Sequence, residues 1–455
     1  MFSKIKYLGI VALFSTAFYS CSNDIAAPET SAGSADFSKY VAVGNSITSG
    51  YTSSGMTAAS QENSLANLLA KQFKEVGGGD FKQPTMTEKG SGVLELQGLN
   101  LVAPCNVDTK PVIARSEVDA NWATDISANG PFNNLAVPGM SVKSSDQVGY
   151  ALPSLFQPAG NGFMLRMLSN DNFSYKEMVT EQVSAISPTF FTYWLGNNDV
   201  LTYAATGGGY LPNFSTNSDG NFPSEEGDYS TSLLAPPSDD DFRNKYAAIL
   251  DILTANGAKG VVATLPDITA LPYFTTVGNQ VTNPNSCTDK LDVWITARSG
   301  SETTIRKATS NDLILLPAGS TIGRPDNFGG NIIPHGLSEY NPLRSAEVID
   351  QQEIAFIKGK LDLYNNIIKQ EAANRNVPVV DMYTFLNSLK DGGVYDGVAV
   401  SSAFISGGAF SLDGIHPSDR GYAIVANEFI NTINSAYGAK IPKIDITKFK
   451  GVTFP

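Results

Sequence analysis

The chain has 455 residues, 42% hydrophobic and 16% charged, which is enough apolar side chain to bury a full core. Its formal net charge is −13 with a pI near 4.7, and no basic run breaks the acidic balance. That composition argues against a DNA or RNA partner and gives an anionic membrane surface nothing to attract.

In chain order, Lys4 and Lys6 precede an apolar run, residues 7–19, too short to span a bilayer comfortably. The pattern is that of an export signal. It stops at Phe18-Tyr-Ser-Cys21, which resembles a bacterial lipoprotein cleavage box, small Ser20 fitting better than bulky Phe18 and Tyr19. The alternative is an ordinary signal peptide with an incidental cysteine. On the lipoprotein reading residues 1–20 are removed and Cys21 carries lipid. Residues 21–36 then tether a folded domain, 37–440, to the membrane of the cell envelope, at its periplasmic or surface face. Residues 441–455 would form a tail. Cys105 and Cys287 remain as the one possible pair in an oxidising compartment, bridged or free.

Five candidate strands follow, at 40–44, 133–137, 188–195, 260–265 and 377–382. The third and fourth contain nearly continuous apolar runs, which predicts strands covered on both faces in a parallel sheet. Helical patterns occupy 63–73, 179–186, 241–255, 346–374 and 418–437. In the fourth, Ile354, Ile357, Leu361, Tyr364 and Ile368 recur at spacings of three and four, packing on the sheet or forming an oligomer seam. The acidic run Asp239-Asp-Asp241 reads as a solvated helix start more simply than as a metal site. Three stretches, 76–131, 201–240 and 270–345, are too long for ordinary connections and read as insertions.

Chemistry concentrates at a few junctions. Tyr40-Val-Ala-Val-Gly44-Asn-Ser46 is a buried strand running into a tight turn that presents a serine hydroxyl. The chain has only two histidines, and one, His416, lies in Asp413-Gly-Ile-His416-Pro417 before the last helix. Three residues of turn can bring the Asp413 carboxylate to Nδ1 of His416, leaving Nε2 to take a proton from a hydroxyl. The competing reading is a capping aspartate beside a bystander histidine. Gly139 follows the second strand and Asn198 the third, supplying a backbone N–H and an amide of the kind that holds a developing oxyanion. All of these groups sit at strand ends on one edge of a parallel sheet, where ligands bind. His335 has no evident partner and reads as a surface or satisfied structural histidine. There is no nucleotide-binding glycine loop, no zinc spacing, no G-x-S-x-G elbow and no HGGG loop.

The four blocks Gly44-Asn-Ser46-Ile, Gly139, Gly196-Asn-Asn198-Asp and Asp413-Gly-Ile-His416-Pro resemble those of SGNH hydrolases, also called GDSL lipase/esterases. The likeness covers about 38–437 and is nearest to bacterial lipoprotein members. It implies an α/β fold, a three-layer sandwich on a five-stranded parallel sheet of flavodoxin-like order. It further implies Ser46 as nucleophile, His416 as general base and Asp413 as its orienting acid. The oxyanion hole would be built from Ser46 N–H, Gly139 N–H and Asn198, with no cofactor or metal. Asn45 departs from the Asp usual in the family.

The implied function is an esterase or acylhydrolase, monomeric, acting on a small-molecule, glycan or lipid acyl ester. Acyl transfer to a sugar, and a non-catalytic lipid- or carbohydrate-binding lipoprotein, are the alternatives. By strand topology, 201–240 and 270–345 should cap the site, carrying Tyr203, Tyr210, Phe214, Phe222, Tyr273, Phe274, Trp294 and Tyr340, unless these aromatics fill small cores of their own.

Overall fold

The computed structural model describes residues 29–105, 109–152, 160–209, 234–299 and 302–455. Residues 1–28, on which the expected export signal, Cys21 and the first part of the expected tether fall, lie outside the described residues. Residues 29–36, expected as part of a tether, are instead docked on the domain: Ser31 bridges Lys440, and Ser34 N–H donates to Tyr437 O.

Four parallel strands form the central sheet in the order β1 (Tyr40–Gly44), β2 (Phe190–Trp194), β3 (Lys259–Ala263) and β4 (Val379–Val380). Every residue of β1 and β2 is buried, as expected of strands covered on both sides. The sheet has four strands where five were expected. The missing member, 133–137, lies along the free edge of β1 but makes only one isolated bridge, Ala42 to Asn134. Three backbone hydrogen bonds still join it to β1, from Ala42 N–H to Asn133 O, Leu135 N–H to Ala42 O and Val137 N–H to Gly44 O, and Asn133 Nδ2 adds one to Tyr40 O. Pro138, which has no N–H, then ends the pairing.

Helices pack in two groups. One comprises α1 (Ser46–Ser49), α2 (Leu65–Lys74) and α7 (Asp419–Tyr437). The other comprises α3 (Tyr175–Ile186), α4 (Asn197–Ala205), α5 (Asp239–Thr254) and α6 (Gln351–Ala373). The stripe on α6 faces the core through Ile357, Leu361, Tyr364 and Ile368, with Tyr364 stacked on Phe242 at 3.9 Å. The helix starts where Asp350 and Glu353 close a capping box, five residues later than expected. The acidic start of α5 is capped by Ser238, and Lys360 pairs with Asp239.

The insertions carry structure of their own. Within 76–131 the strands Leu94–Leu101 and Thr109–Arg115 form a long hairpin. Its tip brings Cys105 to Cys287 of the 270–345 insertion, and the two are joined by a disulfide. That insertion builds hairpins around a second small core of Val293, Ile295, Ala297, Ile314, Leu343 and Val348.

His335 anchors this second unit. It is buried, and its Nε2 lies 2.9 Å from Glu347 Oε2 while Nδ1 lies 3.2 Å from Asn341 Oδ1. Asn341 spends its amide hydrogens on Asp326 and Ile333 O, so both imidazole nitrogens face acceptors. The hydrogen bond to Glu347 therefore raises the imidazole against the opposing effect of burial. A raised folded value means stability fully present below the free imidazole's 6.5 and lost as pH rises through the folded value. Melting temperatures from acid to alkaline pH should fall more steeply for the wild type than for His335→Gln. Parallel curves would remove the imidazolium from the account.

Candidate active site

The site begins where β1 runs out. Asn45 caps α1, its Oδ1 accepting Ile47 N–H at 3.2 Å, a bond that Asp would also make. Gly44 must be glycine: a Cβ there would lie 2.3 Å from Thr48 Oγ1 and 2.8 Å from Trp194 O. The turn thus sits tightly on the neighbouring strand, and Ser46 is delivered at the first helical position.

His416 arrives from the loop before α7. Its Nε2 lies 2.9 Å from Ser46 Oγ, and its Nδ1 lies 2.9 Å from Asp413 Oδ2. With Nδ1–H donating to the carboxylate, Nε2 is left as acceptor for the serine hydroxyl. The Asp413 carboxylate also accepts from Ser54 N–H, Ser411 Oγ–H, Ile415 N–H and His416 N–H. Burial alone would raise this carboxyl. The charge and hydrogen bonds of His416, with the Ile415 N–H, overcome it and hold the group well below the ordinary carboxylate range.

The serine and histidine loops are stitched together between the two groups. Thr52 Oγ1 donates to Pro417 O, Tyr422 OH donates to Tyr51 O, and Ser53 N–H donates to Ser411 Oγ. Ser53 and Ser54 both take positive φ, 48° and 58°, a conformation that non-glycine residues adopt at a cost of about 1–3 kcal/mol each. That strain carries the Ser54 N–H to Asp413.

Gly139, at φ +82°, turns the chain after 133–137, and Asn198 lies in the first turn of α4. Asn198 Nδ2 donates to Met140 O at 2.8 Å, using one of its two hydrogens. Ser46, Gly139, Asn198 and His416 all line one open cleft of about 500 Å³, so the structure brings together every expected site residue among those described. Asp413 lies behind His416, with its side chain only 7% exposed.

The cap expectation is corrected for 270–345, none of whose described residues lines the cleft, whereas 210–233 of the other insertion lie outside the described residues. Of the described residues of 201–240 and 270–345, only Leu201 lines the cleft. Tyr203 and Phe274 are core residues, Tyr340 is 75% exposed, and Tyr210, Phe214 and Phe222 lie outside the described residues. The aromatic wall comes from elsewhere. It runs from His416 to Tyr51 (4.9 Å between ring centroids), on to Phe163 (5.8 Å) and then to Trp122 (4.5 Å). Trp122 belongs to the 76–131 insertion. Tyr51, five residues beyond Ser46, could have been suspected from the sequence; nothing in the sequence singles out Phe163 or Trp122.

Among the described residues no cluster of His, Cys, Asp and Glu has the makings of a metal site. No curated protein matches the chain. Among solved structures it is similar to an acetylxylan esterase from Geobacillus stearothermophilus, with 12% identity, TM-score 0.35, and 88% of this chain and 96% of that one covered. It is also similar to an α/β hydrolase enzyme from the metagenome of Lake Arreo, Spain, with 11% identity, TM-score 0.34, and 89% and 96% covered. Residues 40–429 match the family described as GDSL-like Lipase/Acylhydrolase, a span that takes in β1, all four motif blocks and most of α7. This chain belongs to the GDSL-like lipase/acylhydrolase family.

Proposed function

We propose that the protein is a serine esterase that cleaves carboxylic esters through an acyl-enzyme. The observation that carries this reading is the unbroken relay from Ser46 Oγ through His416 to Asp413, each step 2.9 Å, opening onto a cleft. In the reaction, His416 Nε2 takes the hydroxyl proton as Ser46 Oγ attacks the ester carbonyl carbon. Asp413 stabilises the imidazolium, and Ser46 N–H, Gly139 N–H and Asn198 Nδ2 receive the oxyanion. The imidazolium then protonates the departing alcohol. Water, activated by the same histidine, attacks the acyl-serine, releases the acid and restores the serine.

The cleft wall of Tyr51, Phe163, Trp122, Leu165 and Leu201 favours an ester with an apolar or ring-bearing portion. A non-catalytic scaffold would have no use for a relay this complete. A panel of p-nitrophenyl esters of increasing acyl length, with acetylated xylan beside it, tests the reading. Turnover of at least one substrate is expected, and a folded protein inert to all of them would contradict it.

We further propose that the protein is exported and held in the cell envelope by lipid on Cys21, on the strength of the basic n-region, the short apolar run and the cysteine at its end. Cys21→Ser should move the protein from the membrane fraction to the soluble fraction. Undiminished attachment would speak for another anchor.

A further inference from the structure

We infer that Asp199 is a positioning residue for the oxyanion donors, holding the loop that carries Gly139 in register with Asn198. The inference rests on the esterase reading above.

The loop from Pro138 to Lys143 is held through nearly every polar group of its backbone. Pro138 O accepts from Asn161 Nδ2 (3.0 Å), and Gly139 O accepts from Tyr150 OH (3.4 Å). Met140 O accepts from Asn198 Nδ2. The next two donors, Val142 N–H and Lys143 N–H, both end on Asp199, one on each carboxylate oxygen at 2.7 Å. Two adjacent residues in the first turn of α4 thus grip the loop in opposite senses. Asn198 donates to it and Asp199 accepts from it.

An acid in the first turn of a helix is ordinarily a solvated partner for the helix dipole. Asp199 is not solvated, being 4% exposed, and its oxygens reach across to a different segment of chain. Burial pushes its carboxyl up to about 7, against the opposing pull of the Lys143 and Val142 N–H groups. Keeping a carboxylate at such a site is costly, and few other side chains could do its work. Two oxygens with no hydrogens are needed to meet two parallel backbone donors. An asparagine would meet one donor and turn its NH₂ against the other, leaving a buried N–H unpaired.

The consequence is geometric. Oxyanion stabilisation depends on donors placed in advance of the reaction. The Gly139 N–H is set by the loop, and the Asn198 amide by α4. Asp199 is the side chain that ties Val142 and Lys143 to α4, so loosening it should let the two donors drift apart while leaving Ser46 and His416 in place.

The test is a double-mutant cycle on the full purified protein, read with p-nitrophenyl acetate. Asp199→Asn should lower kcat about 10- to 100-fold with KM changed less than about twofold. In an Asn198→Ala background the same substitution should cost less than about threefold, because the pair of donors it aligns is already broken. Equal effects in both backgrounds, a change confined to KM, or an unaltered kcat would each overturn the inference. So would failure of Asp199→Asn and Asp199→Ser alike to yield folded protein, since Asp199 would then be a folding requirement. Full activity of Ser46→Ala would instead overturn the esterase reading itself, whereas inactive Ser46→Ala with unaffected Asp199→Asn would remove only this inference.

Discussion

Ser46→Ala should lower ester hydrolysis by about 10⁴- to 10⁶-fold, and His416→Ala by a comparable amount. The two losses should be similar because the groups act as one device. Without the imidazole at 2.9 Å the serine hydroxyl keeps its proton, and without the hydroxyl the imidazole has nothing to activate. The double variant should therefore be scarcely worse than either single one. The fold should survive both changes, since neither side chain belongs to the apolar core of the sheet. Initial rates on a short acyl ester, with circular dichroism to confirm folding, check the point. Multiplicative losses in the double variant would mean that serine and histidine work independently.

Asn198→Ala comes next in size, with kcat falling about 10²- to 10³-fold and KM little changed. An amide that meets the oxyanion matters more in the transition state than in the bound ester, so its loss appears in the rate of chemistry. The hydrogen bond to Met140 O occupies one amide hydrogen and fixes the side chain, leaving the second hydrogen available to the cleft that Asn198 lines. Asn198→Asp should be at least as damaging, since it sets a carboxylate oxygen against the Met140 carbonyl. Steady-state kinetics on one ester decides it: an effect on KM alone would make Asn198 a binding residue.

The parts of the fold legible from sequence were those written in local pattern. Buried strands such as Phe190–Trp194 show as apolar runs, and α6 shows as a stripe at helical spacing. The site was legible for a related reason. Each of its groups stands in a short motif at the end of a strand or the start of a helix, and a parallel sheet gathers such ends at one edge. The segment 133–137 does run beside β1 through three backbone hydrogen bonds, but it forms a single bridge before Pro138, which has no N–H, ends the pairing, so its pattern reads as a longer strand than the fold builds. Helix starts moved where capping boxes outweighed periodicity, as at Ser174–Glu177 and Asp350–Glu353.

The cleft wall was illegible for another reason. Strand topology says at which edge a long segment begins, but not how far it reaches. The 76–131 insertion reaches both Cys287, through its hairpin tip, and the cleft, through Trp122. Asp199 sat within a recognised motif, yet its partners Val142 and Lys143 lie 57 and 56 residues away and leave no trace in the local pattern.

The most direct measurement is covalent. A fluorophosphonate that forms a stable adduct with an activated serine should modify the purified protein once per chain. Peptide mapping by mass spectrometry should place the adduct on Ser46, and labelling should vanish in Ser46→Ala and slow severely in His416→Ala. An adduct on another serine, or an unlabelled but folded wild-type protein, would contradict the account.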